Sequence, residues 1–467
     1  MQTEVSVPRH RWIWPTAVIA ITLLALGLRW YFVSTARVIN PIRADAMQYY
    51  NFAWNLAHHG VFSGSSPGST TVIPGNYRDP GYPLLLAIWM KVFGNRELWY
   101  AAVLLTQALL SALTVPLAML LGRRWLNWRW TAAAGVLMAV WPHNIAIASD
   151  LLSETLLGFL CVLAMLLCAR ASARRSPSWA TAAGLGFGSA ALTNAILLPF
   201  GVLVALFLAW RRLAPRRVWL TLCISAVLLP GAWALRNMHL PPDPSGQTSA
   251  DRALQNFVQG SWPGYHTAYA ELSRGDQRGA PVFRAIDAEF QLLRHSPTTG
   301  ARAIAKRLSA HPLYYLMWYT VEKPWALWDW DIRVGQNDIY VYAVKDSPFD
   351  TQPAMRAAEA ICHTINPLLA LLALGSLVFA VATWRRRNNA SLHGQAAFES
   401  VLLLLIYVTV VYSILQTDPR YSIPFRPFEM LLVVTSCSVL SRWVAKLRND
   451  QAERSSAPAA ELRSRPG

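Results

Sequence analysis

Apolar residues come along this chain in long runs, separated by short polar stretches rich in Arg. The runs fall near 13–33, 98–121, 130–148, 152–169, 179–193, 195–210, 218–235, 358–383, 398–415 and 427–443. Each approaches the ~20 residues that a helix needs to cross about 30 Å of hydrocarbon. The pattern predicts an all-α integral membrane protein with about ten transmembrane helices. Thr193 and Asn194 are polar residues at which two of the runs must turn.

Charge agrees with this reading. With the N-terminus inside, alternation places Arg123, Arg124 and Arg129 in one inner loop and Arg170, Arg174 and Arg175 in the next. Arg211, Arg212, Arg216 and Arg217 follow, then Arg385, Arg386 and Arg387, and finally Arg442, Lys446 and Arg448 in the tail. Every short inner loop is basic, as the positive-inside rule requires. Arg9 and Arg11 precede the first run as in a signal peptide. That run is long enough to span, however, and no small-residue cleavage site follows it, so it reads as an uncleaved first helix.

Between the spans lie two long outer segments. Residues 1–235 form a membrane module whose first outer loop is 34–97. Residues 236–357 form a larger, charged segment of mixed structure between helices seven and eight, with turn signals such as Pro241-Pro242-Asp243-Pro244. The last helices occupy 358–448, and the Ala-, Ser-, Arg- and Pro-rich tail 449–467 is expected to be disordered and cytoplasmic. No internal repeat stands out.

Composition adds one exclusion. The net charge of +17 would suggest nucleic acid in a soluble chain. Here 54% of residues are hydrophobic and 14% charged, so the arginines read as topology signals and no nucleic-acid partner is expected. Cys161, Cys168, Cys223 and Cys437 lie within apolar runs and Cys362 at the edge of one. No CxxC pair occurs, so neither a disulfide nor a zinc site is expected.

Candidate chemistry gathers at the outer ends of the runs. From Arg43 to Gly60, apolar and aromatic residues recur at helical spacing, with Tyr49, Ala53 and Leu56 on one side. That predicts an amphipathic helix on the outer surface with Gly60 as its C-cap. Asp45 stands at its start, where it can cap the helix, accept a proton, or do both. The stretch Arg78-Asp79-Pro80-Gly81-Tyr82-Pro83 begins a second surface helix. Arg78 there suits phosphate oxygens, or lipid headgroups by snorkelling. Trp141-Pro142-His143-Asn144 and Ser149-Asp150-Leu151-Leu152-Ser153-Glu154 lie between the third and fourth runs. Asp150 can cap the following helix and share a face with Glu154, whereas an acid opening an apolar run, as Glu154 does, is kept only where it faces water or a partner. Arg236, Lys323 with Glu322, and Asp418-Pro419-Arg420-Tyr421 with Arg426 emerge on the same side. In the outer segment, Trp262, Tyr265 and Trp325 either stack on sugars or pack.

The ordered set resembles the GT-C superfamily of membrane glycosyltransferases. Its elements are Asp45 with Tyr49, Ala53 and Gly60; then Arg78 through Ala87 and Phe93-Gly94; then Ser149 through Ser153-Glu154. The branch it looks like is glycosyltransferase family 39, with protein O-mannosyltransferases, the aminoarabinose transferase of lipid A and bacterial galacturonosyltransferase-like proteins. The resemblance covers the first ~240 residues well and continues more weakly to Arg420-Tyr421. It implies an inverting glycosyltransferase that takes a sugar from a polyprenyl-phosphate carrier and passes it to an envelope lipid, glycan or protein. By the resemblance, Asp45 is the catalytic base. Arg78 holds the donor phosphate, with Arg236, Lys323 and Arg420 as further phosphate ligands, and Glu154, Asp150, Tyr49, Tyr82 and His143 shape the site. Two departures stand out. Many relatives have Asp-Glu where this chain has Asp45-Ala46, which weakens the case for a divalent metal, so no cofactor is expected to be required and the sequence does not support a metal. They often have Pro-Pro where this chain has Asp79-Pro80, so Asp79 is placed to pair with Arg78. The expected location is a cell inner membrane, with both termini cytoplasmic and the site periplasmic. A transporter or flippase, or a non-catalytic binder of lipid-linked sugar, is the alternative. Transporters tend to show repeated halves, which this sequence lacks.

Overall fold

A computed structural model describes residues 12–241, 248–383 and 392–461. Expectations attached to Arg9, Arg11, Pro242-Asp243-Pro244 and Arg385, Arg386 and Arg387 lie outside the described residues. The chain is helical, and among the described residues seven helices are long and apolar enough to cross a membrane. They are α1 (Ile13–Thr35), α4 (Arg96–Gly122), α7 (Glu154–Arg174), α10 (Arg216–Met238), α18 (Pro353–Thr383), α19 (Leu392–Ile414) and α20 (Arg426–Glu461).

The other three expected spans are interrupted or short. The run at 130–148 is a bent pair, α5 (Trp128–Val140) and α6 (Pro142–Ala146), with a 57° break. Trp141 precedes a proline and is therefore extended, at ψ 116°. The guanidinium of Arg29, buried in α1, donates to the carbonyls of Met138 and Ala139 that this break exposes. The runs on either side of Asn194 become α8 (Pro177–Thr193) and α9 (Phe200–Trp210), each shorter than a full span. Asn194 is extended and its side chain accepts from the Ile196 amide, so it does turn the chain as expected.

Surface helices fill the first outer loop: α2 (Ala44–His59) and α3 (Gly81–Val92). Gly60 ends α2 with φ 68°, a conformation that suits glycine. The second outer segment, expected to be mixed, holds α11 (Ser249–Gly260), α12 (Tyr265–Ser273), α13 (Ala280–His295), α14 (Pro297–Ala310), α15 (Pro312–Met317) and α16 (Lys323–Leu327), then a non-helical stretch over 328–347, with α17 (Pro348–Thr351) leading into α18. A two-stranded antiparallel ribbon ties the two outer segments together, with β1 (Arg37–Val38) paired to β2 (Val344–Lys345). The backbone of α20 continues to Glu461, past the boundary at Asn449 where composition suggested disorder.

Burial sorts the helices. α7 and α19 are largely buried, while α10 and α18 leave most of their apolar surface exposed. A helix apolar all round and buried is a core helix, whereas exposed apolar helices suit hydrocarbon. Among the described residues, the loops that carry Arg123, Arg174 and Arg211 lie at the far end of the bundle from Asp45. α7 opens with Glu154 and ends with Arg174, ~30 Å away along its axis. At that far end Arg211 grips Glu399 through two bonds of 2.8 and 2.5 Å.

Candidate active site

Three separate parts of the chain converge on Asp45. The first is the entry to α2. Arg43 is extended and Ala44 has φ 46°, unusual for a residue with a Cβ. The turn is held from the outer segment: the Tyr342 hydroxyl donates to the Arg43 carbonyl at 3.2 Å and accepts from the Ala46 amide at 3.3 Å. Asp45 does not cap the helix, since the N-cap is Arg43 and no side chain bonds there. Both carboxylate oxygens are taken by arginines instead. Arg78 Nη2 donates to Oδ1 at 2.5 Å and Arg420 Nη1 to Oδ2 at 3.0 Å.

The second part is the turn before α3. Arg78 also donates from Nε to Gln48 Oε1 at 2.6 Å and lies over the Tyr49 ring at 4.8 Å. Asp79 pairs with Arg252 of α11 at 2.7 Å and accepts from the Ala195 amide at 3.3 Å, rather than binding Arg78 as the sequence suggested. The positive charge of Arg78 is thus opposed by Asp45, not by Asp79.

The third part is the 3-10 segment Pro419–Phe425 that leads into α20. Asp418 caps it, accepting from the Arg420 amide at 3.0 Å, while its other oxygen takes the amides of Arg333 and Val334. This aims Arg420 between two acids, with Nε on Glu154 Oε1 at 2.5 Å and Nη1 on Asp45. The His266 imidazole lies 3.9 Å from Asp418. Burial, together with Arg333 and Lys323, pushes His266 down to about 4, so the contact is not an ion pair at neutral pH.

Electrostatics at Asp45 are a contest. Burial alone raises its carboxyl, but Arg78 and Arg420 outweigh that and hold it well below the usual carboxylate range. Asp150 goes the other way. Burial, to which Glu154 adds, pushes its carboxyl well above the usual range despite Arg420. The two acids are thus shifted in opposite directions, because two arginines clamp Asp45 whereas burial dominates at Asp150.

These groups face a cavity of about 550 Å³, bordered by Asp45, Gln48, Tyr49, Arg78, Glu154 and Arg420. The outer segment closes it with Arg252, Asn256 and Gln259 of α11, Tyr265 and Tyr269 of α12, and Tyr342. Tyr412 and Tyr421 stack at 5.0 Å on its wall. Of the expected site residues, Asp45, Arg78, Arg420, Glu154 and Tyr49 meet there.

The rest lie elsewhere. Arg236 donates to the carbonyls of Gly75 and Phe62 and packs on Trp233, so it braces the first outer loop. Lys323 is buried and donates to the carbonyls of Gly260 and Leu415, both at 2.6 Å. Burial pushes it down to about 7. It ties α11 to the end of α19. That junction is tight: a Cβ on Gly260 would lie 2.3 Å from the Leu415 carbonyl. Neither Arg236 nor Lys323 borders the cavity, and both donate to backbone carbonyls. Tyr82 donates to Gln107, which in turn bonds the carbonyls of Ala148 and Asp150, one layer beneath. His143 bonds the Trp330 carbonyl in that under-layer. Asp150 falls in the loop before α7, so it neither caps that helix nor shares its face with Glu154. Trp262 is held by Glu289 and covered by Arg307, and Trp325 does not border the cavity; Tyr265 does.

Gln48, Arg252 and Tyr342 are site residues that sequence reasoning missed. Gln48 lies one turn from Asp45 on a helix already recognised, so spacing offered a signal. Arg252 and Tyr342 come from the outer segment, where nothing local singles them out. Among the described residues, no three His, Cys, Asp or Glu side chains come together as a metal set.

The polytopic bundle thus carries an acid and two arginines together at one end of its helices. The chain has the GT-C glycosyltransferase fold, and residues 77–233 match the family of dolichyl-phosphate-mannose-protein mannosyltransferases. It is similar in fold to the Archaeoglobus fulgidus oligosaccharyltransferase in its apo form, with a TM-score of 0.50 and 13% identity over 95% of this chain. The chain spans about half of that enzyme, 52% of its length. ArnT from Cupriavidus metallidurans bound to undecaprenyl phosphate aligns with a TM-score of 0.45 and 15% identity, over 91% of this chain and 60% of that one. No curated protein matches the chain by sequence.

Proposed function

We propose that this protein is an inverting glycosyltransferase that moves a sugar from a polyprenyl-phosphate carrier to an envelope lipid, glycan or protein. The reaction would take place at the periplasmic face of a cell inner membrane. The observation that carries the reading is Asp45, ionised at the rim of the cavity with an arginine on each carboxylate oxygen. The family match over 77–233 supports the lipid-phosphate donor, since that family is described by dolichyl-phosphate-mannose.

Each role follows from chemistry. An acceptor hydroxyl is a weak nucleophile until a base takes its proton. Asp45 accepts that proton as the hydroxyl oxygen attacks the anomeric carbon. The bond from that carbon to the carrier phosphate breaks on the opposite face, and the phosphate leaves with the electron pair. Charge grows on the leaving phosphate, and preorganised guanidinium groups stabilise it. Arg78 and Arg420 are the groups within reach. Glu154 holds Arg420, and Tyr49 supports Arg78 from below. A nucleotide site is not needed, because the carrier phosphate is itself the leaving group.

The test is complementation of a deletion strain with wild type and with Asp45→Asn at equal expression, reading the envelope glycan by mass spectrometry. Restoration of a one-sugar mass increment by wild type alone is expected. Equal restoration by both would remove Asp45 as the base.

A further inference from the structure

Glu154 borders two spaces. Besides the large cavity, it lines a chamber of about 20 Å³ with Arg29, Ser111, Asn144, Thr155 and Ile423. A space of that size holds one water, provided polar partners surround it. Glu154 Oε2 and Thr155 Oγ1 are both buried and neither has a hydrogen-bond partner in the protein. Buried polar atoms are rarely left so, and two in one chamber call for a shared ligand.

Arg29 supplies the third wall. It lies in α1, which contributes nothing to the large cavity, and it is 1% exposed. Four of its five N–H groups are used: Nε to Ser111 Oγ at 2.6 Å, Nη1 to the Ala25 and Ala139 carbonyls, and Nη2 to the Met138 carbonyl. One N–H on Nη2 remains. No carboxylate bonds to it, so Glu154 across the chamber is the acid that shares its space. A metal ion there would meet the full charge of Arg29, which leaves a neutral ligand that both donates and accepts.

We propose that a single water in this chamber bridges Glu154 Oε2, Thr155 Oγ1 and the remaining N–H of Arg29. Arg29 is then a positioning residue. Through the water it fixes the carboxylate that aims Arg420, which in turn holds Asp45. The series runs from the first membrane helix to the base without Arg29 touching substrate. Its effect on turnover rests on the transferase reading; the water itself does not.

The test uses full-length protein in lipid nanodiscs with Thr155→Val, Arg29→Gln and Arg29→Lys. Thr155→Val keeps the side-chain shape and removes the hydroxyl. It is expected to lower kcat about tenfold with KM for the donor unchanged, because Arg420 stays in place and loses only its aim. Arg29→Gln should lower kcat up to about 100-fold, and Arg29→Lys should recover most of it. Density for the water is expected in a wild-type structure resolved well enough to show ordered solvent, and not in Thr155→Val. Unchanged kcat in Thr155→Val and Arg29→Gln, or a chamber without density in wild type, overturns the proposal. Should Arg29→Gln fail to fold, because it also holds the α5–α6 break, Thr155→Val decides alone. If wild type transfers no sugar, the functional reading fails, and the density still decides whether the water site exists.

Discussion

Asp45 and Arg420 lie 3.0 Å apart, although 375 residues separate them. Asp45 comes from the first outer loop and Arg420 from the turn into the last helix, so the site closes only when both ends of the chain are in place. Arg420 also reaches Glu154, and the planar spread of its N–H groups makes both bonds available at once. Lysine has a single charged atom and cannot hold two acids in these directions. Arg420→Lys is therefore expected to lose transfer by about 10²-fold, nearly as much as Arg420→Gln. Steady-state kinetics on nanodisc-embedded protein check this, and near-wild-type turnover in Arg420→Lys would show that charge alone suffices.

The clamp on Asp45 sets a pH dependence. Its folded carboxyl titrates below the ordinary range, despite burial, because Arg78 and Arg420 favour the charged form. A depressed folded value means that the stabilisation is present above the unfolded value and is lost only as pH falls through the folded one. Asp45 thus stays ionised at any pH where the protein is handled, as the proposed base must. The acid limb of kcat/KM is expected below about pH 4, the ordinary carboxylate range. A limb near neutrality, measured over a full pH profile, would assign the base to another group.

Asp79 and Arg252 join the first outer loop to α11 across the cavity. Both side chains are mostly buried, so removing either strands a charge. Asp79→Asn and Arg252→Gln should each make the 249–273 region more open to protease, with transfer reduced. A double-mutant cycle on thermal stability should give a coupling of about 0.5–3 kcal/mol, as expected for residues in direct contact. Additive effects would mean that the pair does not link the two segments.

Metal removal offers a separate check. The acids bordering the cavity, Asp45, Asp79 and Glu154, are each already bound to a guanidinium group. We propose that arginines carry the phosphate charge and that no divalent ion is required. Exhaustive treatment with a chelator is expected to leave transfer unchanged. Loss of activity, restored by one divalent ion, would place a metal in the reaction.

Much of this molecule was written locally. Long apolar runs set the helical class, because a chain segment in hydrocarbon must satisfy its backbone within itself. The α2 helix with its Gly60 cap, the turn at Asn194 and the start of α3 after Pro80 follow from neighbours a few residues away. Glu154 stood out as an acid opening an apolar run, while Asp45 and Arg78 stood out by their place in an ordered set that resembles a known family and Arg420 as a charge at a helix exit. Tertiary structure alone decided which charges meet. Asp79 chose Arg252 over adjacent Arg78, and Arg236 and Lys323 turned to backbone carbonyls. Arg29, inside an apolar run, became a buried neighbour of Glu154. A side chain's partner depends on which helix ends pack together, and that packing is set by the shape of the whole bundle rather than by any local pattern.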